Sequence, residues 1–341
     1  MTIGSEVPQH PEELHSPNIL VVGAGSVGAI YIHQLQRAGC IVSAVCRSNH
    51  DTVSKDGFTL QSKLFGNVTY KPDYVFRSTL DCPAHTIYDY IIVTTKALSG
   101  SQLPLVDLIR PIIQRDARTA IVMAQNGIAV EDIIAEAFPV NPILSGVVYL
   151  PAMQIKPGVV KHHGTLNLLE LGTFRADAPK PHKVAAVDLA RLFCLGGGQV
   201  EVCENIQTAR WSKLVLNAAW GPICGLSLCT DGDFLTSSPF AADLVRGAMM
   251  EIVRLAQKIG IPGVDEKVME KQFSIAKMRA QNGTGREVSM LQDIRRGQPF
   301  EIETILGEPV RLGQQHGVEM PRLETLYALL MGRLKALTGH M

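Results

Sequence analysis

Short apolar runs alternate with amphipathic stretches through the first part of the chain, and long amphipathic stretches replace them afterwards. Asn18-Ile-Leu-Val-Val22, Ile41-Val-Ser-Ala-Val45, Tyr90-Ile-Ile-Val-Thr-Thr95 and Thr119-Ala-Ile-Val-Met-Ala124 are each too short for a buried helix. They predict parallel strands buried on both faces. A helical pattern over Ala29 to Ala38 links the first two into a βαβ unit. From Ile143 to Phe174, β-runs broken by Pro151, Pro157-Gly158, His162-His163-Gly164 and Gly172 predict further strands that extend the sheet. Gln199 to Cys203 reads as one more strand, and a turn at Gly196-Gly-Gly198 precedes it. Beyond Glu204 the period becomes helical over Thr208–Ala219, Pro239–Ile259, Val264–Asn282, Phe300–His316 and Arg322–Leu337. The expected organisation is a mobile tail (1–17), an α/β domain (18–204) and an all-helical domain (205–341).

The first strand runs into Gly23-Ala-Gly25-Ser-Val-Gly28, the G-x-G-x-x-G spacing of a Rossmann-type dinucleotide-binding domain. Gly23 permits the tight turn, Gly25 lets backbone approach a pyrophosphate, and Gly28 lets the helix pack close to the sheet. The pyrophosphate would then lie on the helix N-terminus, at the amides around Ser26, Val27 and Gly28. Where an NAD site offers an acidic residue at the end of the second strand, this chain has Cys46-Arg47-Ser48, and Asp51 comes too late. A guanidinium grips a 2′-phosphate with paired charge-assisted hydrogen bonds, so Arg47 predicts NADP(H). Lys96 and Gln125-Asn126-Gly127 follow the next two strands and fall on the same ligand-binding edge.

With 32 basic and 32 acidic residues in 341, no global field favours nucleic acid or an anionic membrane. Seven cysteines without a C-x-x-C pair suit a reducing compartment, the cytoplasm, better than a disulfide framework. The first seventeen positions lack an apolar signal core and an Arg-rich face, so no targeting peptide is expected there. Leu214 to Cys229, broken by Asn217, Gly221, Pro222 and Gly225, predicts a buried helix with its exit turn, not a membrane span. His162-His163 has no third ligand at metal spacing, so no metal is expected, and the pair reads as turn residues near the cleft.

Lys213 and Asn217, four apart among apolar neighbours, share one helix face. Spacing leaves two readings level: an amine tuned by burial to release a proton, or a snorkelling side chain. Ser289 and Glu301 flank a predicted helix end near Gly297, with Pro299 starting a new helix and Glu301 in its first turn.

Taken together, these motifs resemble the ketopantoate reductase (2-dehydropantoate 2-reductase) family, from Asn18 to about Leu337. The resemblance implies NADPH-dependent reduction of a 2-oxo acid to a 2-hydroxy acid, ketopantoate to pantoate foremost, for pantothenate synthesis. It makes Gly23, Gly25, Gly28, Arg47 and Lys96 cofactor contacts and puts Asn126 between cofactor and substrate. Lys213 becomes the catalytic proton donor and Glu301 a catalytic carboxylate that orients the substrate hydroxyl or the lysine, with Asn217 and Ser289 on substrate oxygens. It also implies a homodimer. Departures stand at Gly221, Asp231 and Arg286, where the family commonly has asparagine. They raise the alternative of a related reductase with another keto acid, ketone or imine as substrate. A non-catalytic NADP(H) sensor would have no use for Lys213, Asn217, Ser289 and Glu301 together.

Overall fold

The computed structural model describes residues 16–98, 104–113 and 117–338, so most of the expected tail lies outside the described residues. The strands are β1 (Asn18–Val22), β2 (Ile41–Val45), β3 (Phe58–Ser62), β4 (Gly66–Tyr70), β5 (Tyr74–Phe76) and β6 (Tyr90–Val93). They continue as β7 (Ala120–Met123), β8 (Ile143–Tyr149), β9 (Ala152–Lys156), β10 (Val159–His162), β11 (Leu168–Thr173) and β12 (Gln199–Val202). The main sheet has the order β12-β11-β8-β7-β6-β1-β2-β5, parallel from β8 to β5, with β11 antiparallel to β8. Its order reverses at β1, between β2 and β6, and such a switch point opens a crevice at the carboxyl ends of the strands.

Helices α1 (Ser26–Arg37), α2 (His50–Asp56), α3 (Leu105–Ile113), α4 (Asp132–Ala137) and α5 (Lys180–Leu195) accompany the strands. Both faces of the sheet are covered. Ile19, Val21, Ile30 and Leu35 belong to one buried cluster, and Leu20, Val22, Ile109 and Ile134 to another. That is why β1, β6 and β7 read as unbroken apolar runs.

The helical domain holds α6 (Ile206–Ser227), α7 (Asp231–Ser237), α8 (Ala241–Lys258), α9 (Glu266–Gln281), α10 (Ser289–Arg295), α11 (Glu308–His316) and α12 (Pro321–Thr338). Helix α6 is its axis, burying Trp211, Leu214, Val215, Ala218, Ala219 and Ile223 in a third cluster. None of the described helices is long and apolar enough to cross a membrane.

Three expectations need correction. The β9–β10 hairpin does not extend the main sheet: β10 pairs with β3, giving a separate sheet β4-β3-β10-β9. Phe58, Leu60 and Val160 thereby join the same buried cluster as Ala29 and Ile32 of α1 and Ile19 and Val21 of the main sheet. His162 accordingly ends a strand, and its ring meets the Ser62 hydroxyl at 2.9 Å and the Leu166 carbonyl at 2.9 Å. Second, α6 does not stop near Ala219 but runs through Gly221-Pro222 to Ser227. Its small residues admit α10 so closely that a Cβ on Gly225 would meet Ile294 Cδ1 at 2.8 Å. Third, Pro299 starts no helix; a π-helical turn, Glu303–Gly307, leads into α11, and Glu301 lies ahead of it.

One buried ion pair joins the helical axis to the sheet. Arg210, on the first turns of α6, is 3% exposed and meets Glu131, 1% exposed, at 2.7 Å. Removing one partner of such a pair strands the other charge. Glu131→Ala should lower stability by about 3–5 kcal/mol, read as a reduced urea midpoint. The half-exposed Arg311–Glu303 pair should contribute no more than about 1 kcal/mol when cut by Arg311→Ala. Equal midpoints for the two variants would remove the Arg210 pair from its anchoring position.

Candidate active site

At the carboxyl end of β1, Gly23 adopts φ +96°, and an added Cβ would strike Thr95 at 2.6 Å. At Gly28 a Cβ would meet the Gly23 carbonyl at 2.8 Å, so only glycine lets α1 start this near the sheet. Gly25 differs: the only nearby atom is the Gly23 oxygen at 4.0 Å, leaving open space above the turn. The first turn of α1 carries no acidic residue, and Ser26 and Val27 are half-buried. Open space in front of uncapped helix amides fits a dinucleotide pyrophosphate. Arg47 stands exposed after β2 with no hydrogen bond or ion pair for its guanidinium among the described residues.

The loop after β7 is held from beneath. Arg210 donates to the carbonyls of Gln125 (2.9 Å) and Gly127 (2.8 Å), the residues on either side of Asn126. It also donates to Ser145 Oγ at 2.8 Å and the Met123 carbonyl at 3.2 Å. Gly127 at φ +85° lies so near Thr304 that a Cβ would come within 2.3 Å of its carbonyl oxygen, which also accepts from Ile128 N–H at 2.9 Å. Asn126 is thus fixed on both sides by backbone contacts.

One helical turn beyond Arg210, Lys213 reaches the same loop. Its Nζ donates to Asn126 Oδ1 at 2.9 Å and to the Val148 carbonyl at 2.6 Å, and lies 5.3 Å from the centre of the Tyr149 ring. Asn126 Nδ2 in turn donates to Glu301 Oε2 at 2.8 Å, while Glu301 Oε1 accepts from Ala97 N–H at 3.0 Å. The Lys213 ammonium is engaged by protein oxygens and does not snorkel. Burial, then the Arg210 charge, lowers its pKa to about 8, against the opposing pull of Glu301 and Glu170. Asn217 lines the same small pocket, with Gln125, Val147 and Leu214. The Gln125 Oε1 atom there is buried without a partner among the described residues. An amine near its titration point, beside a directional amide and a carboxylate, can donate a proton to an oxygen bound in this pocket.

Lys213, Asn126, Asn217 and Glu301 therefore converge. Ser289, the first residue of α10, is exposed and makes no hydrogen bond to them. Lys96 is paired with Asp293 of α10 at 2.6 Å, a partner that sequence reading did not supply. Arg210, Glu131, Ser145 and Tyr149 were missed too. For Arg210 a signal existed, since it precedes Lys213 by three residues on the same helix; for Glu131 there was none. Asp231 proves unavailable to a ligand. It is 2% exposed, binds Arg279 and accepts from the Arg286 N–H at 2.7 Å and the Gly232 N–H at 2.8 Å.

Comparison with known proteins agrees with this fold. The family model described as ketopantoate reductase PanE/ApbA matches residues 19–176, and that described as its C terminal matches residues 205–334. An uncharacterized protein of Saccharomyces cerevisiae is 30% identical, over 92% of this chain and 92% of its own. A 2-dehydropantoate 2-reductase of a Nostoc species is 27% identical, over 94% of this chain and 95% of its own. The crystal structure of 2-dehydropantoate 2-reductase from Methylococcus capsulatus superposes with a TM-score of 0.81 at 33% identity, covering 94% of this chain and 98% of that one. The chain belongs to the ketopantoate reductase family of oxidoreductases.

Proposed function

We propose that this chain reduces a 2-oxo acid to the 2-hydroxy acid with NADPH, with 2-dehydropantoate to pantoate as the leading reaction. The observation that carries the reading is the continuous string Lys213 Nζ, Asn126, Glu301, drawn from α6, the loop after β7 and the segment before α11. A bound reduced nicotinamide supplies the hydride. Lys213 polarises the C2 carbonyl and protonates the oxygen as it gains charge. Asn126, aligned by Glu301, orients that proton donor, while Asn217 and Ser289 hold substrate oxygens. Gly23, Gly25 and Gly28, with the amides of Ser26 and Val27, receive the pyrophosphate, and Arg47 takes the 2′-phosphate. Lys96 exchanges Asp293 for the cofactor. The division between the two units falls in the short link from β12 to α6.

One observation favours the second reading, a relative with a different 2-oxo acid as substrate. With Asp231 already consumed, the Arg286 guanidinium has neither a hydrogen bond nor an ion pair among the described residues. Burial is the main cause that lowers the pKa of Lys213 and of His163, and the Arg286 charge adds a smaller push in the same direction. A free cation at that place suits a substrate with a second carboxylate.

NADPH oxidation with ketopantoate, 2-oxoisovalerate, pyruvate and 2-oxoglutarate, beside an NADH control, tests both readings. Lys213→Ala should lower kcat by about 10²–10⁴-fold on any accepted substrate. Ketopantoate trailing 2-oxoglutarate in kcat/KM would select the second reading. Arg47→Ala should raise KM for NADPH at least about tenfold and leave NADH unaffected, because the lost contact is to the 2′-phosphate. Because Lys213 must be protonated to donate, kcat/KM for reduction should fall as pH rises through about 8, and hydroxy acid oxidation should rise over the same limb. A flat profile there would sink the assignment of Lys213 as acid.

A further inference from the structure

The sheet face beneath α6 carries a carboxylate that the mechanism above leaves unused. The register of β8, β11 and β12 sets Glu170 opposite Val147 and Glu201 opposite Glu170. Side chains alternate along a strand, so Ser145, Val147 and Tyr149 share that face with Glu170. These neighbours belong to the site: Ser145 accepts from Arg210, Val147 lines the pocket, and Tyr149 lies beside the Lys213 ammonium. Glu170 Oε2 is buried and has no hydrogen-bond partner among the described residues. An unpaired carboxylate in such a place is costly unless a nearby charge compensates it.

Compensation comes from two helices. Glu170 is pushed up by burial and by Glu201, and drawn back toward the ionised form by Lys213 of α6 and Lys271 of α9; Tyr149 and Cys203 also lie within its reach. Around Lys213, Arg210 and Arg286 oppose the ammonium, while Glu301 and Glu170 support it. Glu301 is linked to the lysine through the Asn126 amide; Glu170 acts from β11 without that link.

We propose that Glu170 is a positioning residue for the reaction, a counter-charge that keeps Lys213 protonated between turnovers while Arg210 holds the neighbouring loop. This inference rests on Lys213 being the proton donor. Without Glu170 the lysine would release its proton to solvent at lower pH, and the charged acid would be depleted under working conditions.

The test is the pH profile of kcat/KM for wild type, Glu170→Gln, Glu170→Asp and Lys213→Ala. Glu170→Gln should move the alkaline limb to lower pH by at least about half a unit, with the plateau below it retained and KM for NADPH unchanged. Glu170→Asp, which keeps the charge, should return the limb toward wild type, and it carries the test if the Gln variant folds poorly. A purely structural Glu170 would lower the plateau without moving the limb, and that result overturns the proposal. Limbs that coincide in wild type and Glu170→Gln, but vanish in Lys213→Ala, overturn it while sparing the lysine assignment. A limb that survives in Lys213→Ala overturns both.

Discussion

A guanidinium shut away between helix and sheet imposes the constraint on which the site depends. Arg210 has left water, and its donors are taken up by Glu131, Ser145 and four backbone carbonyls, at Met123, Gln125, Gly127 and Gly146. Such a pair adds little net stability, since desolvation offsets the attraction, but breaking it is expensive. The consequence is geometric. Because the carbonyls flanking Asn126 belong to Arg210, and Arg210 belongs to the helix that carries Lys213, amide and amine are held at one separation.

Directionality then propagates outward. The Asn126 amide accepts from Lys213 with its oxygen and donates to Glu301 with its nitrogen, so a flipped amide would satisfy neither charge. Glu301 takes the Ala97 N–H as well, and Lys96 beside it reaches Asp293. Burial raises the Asp293 pKa against the pull of Lys96, across a contact that joins the sheet edge to the helical domain.

The departures from the family pattern separate once the packing is known. Asp231 has become an internal fastener that holds the segment before α10 through the Arg286 N–H and binds Arg279. Gly221 faces Met290, whose nearest atom would lie 3.5 Å from an added Cβ, so its side-chain space is already bordered by α10. Of the three, only Arg286 keeps a guanidinium with no hydrogen bond or ion pair among the described residues, and the second proposed reading rests on it.

Local signals made much of this readable from the chain. Buried parallel strands and the glycine turn are written within a few residues of one another, because the left-handed backbone at Gly23 and the approach of Gly28 to the Gly23 carbonyl are local, although Thr94 and Thr95 crowd the same glycines from a distant strand end. Lys213 and Asn217 were legible as a pair because helical spacing alone puts them on one face. The course of α6 through Pro222, the separate small sheet and the non-helical setting of Glu301 were not, since each depends on what packs against it. The same holds for Glu131 with Arg210, Asp293 with Lys96, and Glu170 near Lys213. By itself, then, the sequence determined the main parallel strands, the helical character of the second domain, the glycine turn and the chemical types available at the site. Tertiary structure alone decided which charges face one another and how strongly Lys213 holds its proton, because burial and Coulomb interaction depend on distance in space and not along the chain.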